Sequence, residues 1–560
     1  MKNKFLLLLL CSFSIYSFGQ IKERQAVDSI FSQWNKSSSP GTAIGIIKDG
    51  KLLYSKGYGI ADLEHDIPIT DSTIFYIGSV SKQFVGMCIL LLEEQGKLNL
   101  DDHIQKFLPD FPEYGSPVTI RNFLNHTSGI RDNLTLWSLA GKDLLNHIDK
   151  MEMYELIHRQ KELNFKPGEQ FMYSNSCYFM LGLVIEKIAG ESLKEFARKN
   201  IFEPLGMNHT FFHDDNSRII KNRAFSYLEE NGELKNQIMR YDLVGSGGIY
   251  SNIRDLYLWD QNFYHNKLGK GTNTLLEKLQ TEGVLNNGKP TGTGYALGIQ
   301  TGNYHGLKTV SHGGALAGYR SFLLRFPEQN FSIVLLGNYS TMDIEGLSYD
   351  VAGIFLRDQF KDKSTKNNAG EKAKPKPKTN TKKIKRIPFN QLVGDYEFKP
   401  GIMAEISVKN DSLFVLQKWN QNSYAIVHTN GNTFKTLDNP SIQFVFSELK
   451  DDYAQVFTIL QGENEIPLKR KKEIKFSDLK TEAYEGTYYS EELNVSYQIF
   501  VEKGSFKLKM PDNSPEDLII SDADLFLSGE TTIHFIRLND KIIGFNLDLD
   551  RVKNLNFIKK

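Results

Sequence analysis

The stretch that most constrains the fold is Gly78-Ser79-Val80-Ser81-Lys82, because it runs directly into Phe84-Val85-Gly86-Met87-Cys88-Ile89-Leu90-Leu91-Leu92. An apolar run of that length with no polar face reads as a helix buried on all sides, so a domain must be wrapped around it. Ser79 falls at its start and Lys82 one turn on, which puts the two side chains on one face and within reach of each other. A serine hydroxyl beside a lysine desolvated by an apolar helix has a base at hand, and N–H groups at the helix start favour negative charge on the same oxygen. The S-x-x-K spacing alone is weak, since about two matches are expected by chance in a chain of 560 residues. On that spacing alone an N-cap serine beside a surface lysine remains open. The other matches, Ser447 with Lys450 and Ser477 with Lys480, lie in polar, strand-rich sequence and read as solvated surface.

The length is too great for one core, and the formal net charge of zero favours neither nucleic acid nor an anionic membrane as partner. Lys2 and Lys4 precede the apolar run from Phe5 to Ile15, and Ser17-Phe18-Gly19 suits cleavage before Gln20, so residues 1–19 read as a signal peptide. A spanning helix needs about 20 apolar residues, which no other segment supplies, and a periplasmic or secreted protein is expected. Cys11 lies inside that signal, where Leu10 before it argues against a lipid anchor. Cys88 and Cys177 then remain, both in apolar helical context, and read as buried free thiols.

Gly41 to Gly59 reads as a hairpin turning at Asp49-Gly50. Strand patterns return at Ser321–Phe326 and Phe331–Leu336, followed by a helix pattern from 343 to 360, with mostly helical sequence from 98 to 278 between. The economical fold is α+β: an antiparallel sheet made from both ends of residues 20–360, covered by helices, with a helical subdomain inserted. Residues 361–387, rich in Lys, Asn, Thr and Pro, read as an extended linker. Beyond it, Gly394-Asp395-Tyr396 precedes an alternating strand at 406–415, and Gly486-Thr487-Tyr488 precedes one at 499–508. That repeat predicts two small all-β, lipocalin-like barrels over 388–475 and 476–560.

A serine nucleophile with a lysine needs a proton shuttle and an oxyanion hole. Tyr173, presented by Lys166-Pro167-Gly168-Glu169 just before a helix beginning near Ser176, is the shuttle candidate. Tyr250-Ser251-Asn252 and Tyr264-His265-Asn266 repeat its Tyr-x-Asn pattern without that context. In Ser311-His312-Gly313-Gly314-Ala315 two glycines allow close backbone approach, and the Ala315 N–H is placed to pair with that of Ser79 as an oxyanion hole. Alone, the run also fits a glycine-rich turn. His209 and His213 have the spacing of a helical zinc pair, but Thr210-Phe211-Phe212 favours a strand or loop, so no metal and no cofactor is expected.

Six ordered matches resemble the β-lactamase-related serine hydrolases, a family of class C β-lactamases, D,D-carboxypeptidases, D-aminopeptidases and esterases, over Ala26 to Phe360. They are Ser79-x-x-Lys82, Asn125-His126-Thr127-Ser128-Gly129-Ile130, Tyr173-Ser174-Asn175, Pro204-Leu205-Gly206-Met207, Gly247-Gly248-Ile249-Tyr250-Ser251 and His312-Gly313-Gly314. The resemblance implies a serine β-lactamase/penicillin-binding-protein-like domain in which Ser79 is acylated, Lys82 and Tyr173 manage its proton, and Asn175, His312, Gly313 and Gly314 contact substrate. It makes His126 a structural loop residue. The family's β-lactamases carry Lys-Thr-Gly where this chain has His312-Gly313-Gly314, and imidazole binds a carboxylate as an ammonium does only when protonated. An exported hydrolase acting on esters or amides, D-amino-acid peptides among them, is therefore expected, with a small-molecule or peptide substrate. The alternatives are a D,D-carboxypeptidase or weak β-lactamase, and a non-catalytic binding or sensing protein of the same fold. Oligomeric state is not legible.

Overall fold

The structure is a computed structural model that describes residues 22–361 and 387–560, apart from 400–401, 410, 419–421, 437–441, 462–463, 472–473 and 512–513. The expected signal peptide, with Cys11, and all but the ends of the expected linker lie outside the described residues. The chain forms two compact units that divide at Ser364.

The first unit is organised on a six-stranded antiparallel sheet. Its strands are β1 (Thr42–Lys48), β2 (Lys51–Tyr58), β3 (Gln300–Tyr304), β4 (Leu307–Leu316), β5 (Tyr319–Phe326) and β6 (Phe331–Gly337), in the spatial order β3-β4-β5-β6-β1-β2. The sheet is thus built from both ends of the unit, as the strand patterns predict, and its seam is the β1–β6 pairing from Thr42 with Gly337 to Lys48 with Phe331. Asp49 (φ 49°) and Gly50 (φ 75°) are both left-handed, the conformation a two-residue hairpin turn demands.

One sheet face, carrying Ile44, Ile46, Leu324, Ile333 and Leu335, is covered by Val27 and Phe31 near the chain start and by Val351, Ala352 and Leu356 of helix α4 (Ile344–Leu356). On the other lies helix α3 (Ile253–Asn262), admitted because residue 45 is glycine: a Cβ there would meet Ile253 at 2.5 Å. Arg325 of β5 and Asp260 of α3 form an ion pair at 2.8 Å with 3% and 2% of their side chains exposed. Helix α1 (Lys82–Glu94) is buried from Lys82 to Leu92, as its apolar sequence requires, and Phe84 packs on Trp259 of α3 at 4.4 Å between ring centres. Helix α2 (Asn175–Ala189) begins one residue before the expected start and ends on left-handed Gly190.

The second unit contains two closed antiparallel barrels of eight strands each, running from Gly394–Lys399 to Asn464–Lys471 and from Gly486–Ser490 to Val552–Lys559. The interior of the first is filled by Tyr396, Phe434, Phe444, Phe446 and Phe457, which suits the width of an eight-stranded barrel. The repeat seen in sequence is physical. Tyr396 donates to Leu392 O (2.8 Å) beneath the Arg470 guanidinium, and Tyr488 donates to Tyr484 O (2.6 Å) beneath the Lys559 ammonium. Among the described residues no helix is long and apolar enough to cross a membrane.

Candidate active site

Gly78–Ser81 forms a single 3₁₀ turn that passes into α1 at Lys82. In such a turn side chains three apart eclipse, and Lys82 Nζ accordingly lies 3.0 Å from Ser79 Oγ. Lys82 is fully buried, and its Nζ also donates to Asn175 Oδ1 (2.8 Å) and to the Ser246 carbonyl (2.7 Å). The Tyr173 ring lies under the same ammonium, 4.8 Å from its centre. Three segments far apart in sequence thus converge on one nitrogen.

Asn175, the first residue of α2, is set by Asp132, whose Oδ2 accepts from the Asn175 backbone N–H (2.6 Å) and its side-chain amide (2.8 Å). The other oxygen of Asp132 caps the helix Asn133–Leu139 by accepting from Leu134 and Thr135. Tyr173 is held by His126, a buried residue with φ 55°, whose ring centre is 4.2 Å from that of Tyr173. The His126 carbonyl accepts from Met172 N–H and its Nδ1 from Ser174 N–H, so His126 shapes the loop, the structural part the resemblance implies. The rival triplets do not reach the site: Asn252 caps α3 by accepting from Asp255 N–H, and Tyr264 lies in the segment that follows α3.

His312-Gly313-Gly314-Ala315 runs within β4 and is no turn. A Cβ at Gly314 would lie 2.1 Å from Ile77 O and 2.9 Å from Ser79 N, and one at Gly78 (φ 52°) would lie 2.7 Å from Ala315 N. That approach brings the Ser79 and Ala315 amides to one junction, and only glycine permits it. Ser321 fixes the junction by donating to Ile77 O at 2.7 Å. His312 is 9% exposed, and burial with the nearby Lys82 charge pushes its imidazole down to about 4. The imidazole is neutral at pH 7, so it supplies no positive charge in place of the family's lysine.

Asp132, Ser246 and Tyr295, the last hydrogen-bonded to His312 Nε2, are the residues sequence reasoning missed. Asp132 follows the Asn125–Ile130 run by two residues and Ser246 directly precedes Gly247-Gly248, so each adjoins a motif that the sequence does show. Cys88 and Cys177 are buried and free, and burial pushes the Cys177 thiol up to about 12 despite its contact with Ser128 Oγ. The short strand Phe211–Phe212 runs between His209 and His213, and the one group of potential metal ligands among the described residues, Asp62, Glu64 and His65, includes neither.

Residues 23–348, more than half of the chain, match the family model described as Beta-lactamase. The chain belongs to the beta-lactamase family. Within it, the chain is 27% identical to Penicillin-binding protein 4* of Bacillus subtilis (strain 168), over 70% of this chain and 87% of the relative. It is 32% identical to Protein flp of Staphylococcus aureus (strain MRSA252), over 57% of this chain and 63% of the relative, so it spans less than two thirds of that protein. Among solved structures, the octameric penicillin-binding protein homologue from Pyrococcus abyssi superposes with a TM-score of 0.54 at 24% identity, covering 80% of this chain and 99% of the other. EstCE1, a hydrolase with promiscuous acyltransferase activity, gives 0.52 at 21% identity over 60% and 100%. D-amino acid amidase from Ochrobactrum anthropi SV3 gives 0.51 at 19% over 60% and 99%. These likenesses place the chain on the serine hydrolase fold of the beta-lactamase family.

Proposed function

We propose that this chain is an exported serine hydrolase that forms an acyl-enzyme on Ser79 with an ester or amide, D-amino-acid peptides included. The observation that carries the reading is the set of acceptors around Lys82 Nζ. Asn175 Oδ1 and Ser246 O can only accept, whereas Ser79 Oγ can accept or donate. Once it gives up a proton, the Lys82 amine has two N–H bonds and one lone pair. Its two donors satisfy Asn175 and Ser246, and the lone pair is left facing the Ser79 hydroxyl. Lys82 then takes the Ser79 proton as Oγ attacks the carbonyl carbon, and the Ser79 and Ala315 amides stabilise the oxyanion. The bond from the carbonyl carbon to the leaving group breaks as Tyr173, stacked against the same nitrogen, gives its proton to the leaving group and regains one from Lys82. Water completes the cycle by attacking the ester of Ser79: the acid leaves with the water's oxygen, and the proton that water loses returns through Lys82 to Ser79 Oγ.

The neutral His312 favours substrates that present no carboxylate to β4, and so weighs against the D,D-carboxypeptidase and β-lactamase readings. The names of structural neighbours, an amidase and a hydrolase with acyltransferase activity, fit acyl transfer. A purified chain assayed on a p-nitrophenyl ester, a D-aminoacyl anilide and a cephalosporin tests the reading. Turnover of the first two that disappears in Ser79→Ala is expected. Inactivity on all three, with no labelling of Ser79 by a fluorophosphonate, would leave the non-catalytic alternative.

A further inference from the structure

Tyr295 stands where three parts of the site meet. Its loop is pressed on the start of α1: a Cβ at Gly298 (φ 87°) would lie 2.5 Å from the Lys82 carbonyl carbon, and one at Gly86 would lie 2.4 Å from Leu297 O. From that platform the buried ring of Tyr295 meets Tyr173 edge-on at 5.8 Å and His126 at 4.7 Å between ring centres. Its hydroxyl reaches His312 Nε2 at 3.3 Å.

The chemistry at His312 gives that last contact a direction. His312 Nδ1 is 2.6 Å from Gly313 O, a carbonyl that can only accept, so Nδ1 carries a proton. A neutral ring protonated at Nδ1 offers a lone pair at Nε2, and the Tyr295 hydroxyl is the donor. The hydroxyl of Tyr178, whose own proton goes to Leu124 O at 2.8 Å, also lies against that of Tyr295, so Tyr178 Oη and His312 Nε2 are the two acceptors within reach of the one Tyr295 proton.

β4 pairs with β5 through Gly313 with Phe322 and Gly314 with Ser321, and the Gly314–Ala315 peptide carries the Ala315 N–H. Beside that pairing, Gly313 O is held by His312 Nδ1, while the one hydroxyl proton of Ser321 goes to Ile77 O. We propose that Tyr295 is a positioning residue: by donating to His312 Nε2 it fixes the Nδ1–H tautomer, and the His312–Gly313 bond then holds β4 so that Ala315 N–H faces Ser79. The proposal rests on the acyl-transfer reading for its catalytic consequence but not for its tautomer.

Nitrogen-15 spectra of histidine-labelled full-length protein, with the His312 signal assigned by its loss in His312→Gln, read the tautomer without any turnover. A protonated Nδ1, and an Nε2 resonance that shifts on Tyr295→Phe, are expected. In ester turnover Tyr295→Phe is expected to lower kcat about 10-fold, the effect of one hydrogen bond, with KM little changed. The same change in a His312→Gln background is expected to add nothing, because no imidazole is left to position. A wild-type ring protonated at Nε2, an Nε2 signal indifferent to Tyr295→Phe, or additive losses in the double variant would each overturn the proposal. A wild-type chain with no turnover would instead sink the hydrolase reading, while the spectra still decide the tautomer.

Discussion

Lys82 is a buried amine surrounded by Ser79 Oγ, Asn175 Oδ1 and the Ser246 carbonyl, so its replacement separates charge from proton transfer. Lys82→Arg keeps the charge and cannot act as a base, and it is expected to reduce ester turnover by several orders of magnitude while fluorophosphonate labelling of Ser79 also slows. His312 gives a second test. Its folded-state value of about 4 lies below the ordinary 6.5, so between those limits the unfolded chain binds a proton that the native one does not. Stability is therefore present in full above pH 6.5 and is lost as pH falls toward 4, by on the order of 3 kcal/mol. His312→Gln should remove that slope, and melting curves of both proteins from pH 7 to 4 will show it. Ser79, Lys82 and Tyr173 were legible because their chemistry is local: one helical turn and one proline-glycine turn identify them. Ser246 was not, because it contributes only a carbonyl, which every residue has. Tyr295 was not, because its partner lies on a neighbouring strand and no spacing announces it.

The elements that carry these residues are tied by buried polar contacts. Asp132 joins the cap of one helix to the first residue of α2, so Asp132→Ala is expected to cost about 1 kcal/mol as a lost cap and to release Asn175. Misplacing a group that contacts Lys82 by an ångström is expected to lower kcat ~100-fold, more than the stability loss explains. A kcat that falls no more than the folded fraction would show that Asp132 serves the fold alone. Between α3 and β5, Asp260→Ala leaves Arg325 charged, buried and without its carboxylate, and is expected to destabilise by ~3–5 kcal/mol in urea titrations. At this scale the sequence was most readable. The Asp49-Gly50 hairpin and the strands flanking Pro327–Asn330 formed where their patterns put them. The ion pair was invisible, since an arginine in a strand and an aspartate in a helix each read as exposed until the sheet is folded.

For the whole molecule, the first unit has its own sheet, covering helices and candidate site, so a chain ending near residue 361 is expected to fold and to cleave small activated esters at the full-length rate. The ratio of D-aminoacyl amide to ester turnover in that truncation, against the full chain, measures what the barrels contribute to selectivity. The two units also differ in when they are able to fold. Each barrel is a meander whose strands pair with their sequence neighbours, closed at the last step by Asp395 with Lys471 or Tyr488 with Lys559. In the first unit, β1 finds no partner but β2 until β6 has been made, because Lys48 pairs with Phe331. At ~5–20 residues per second of synthesis, its open edge waits on the order of tens of seconds. Nascent chains arrested before residue 331 should therefore be protease-sensitive and should engage chaperones at β1, whereas an arrested barrel should resist digestion as soon as its last strand emerges. The protein's exposure to aggregation is set by this seam, during biosynthesis and not at equilibrium.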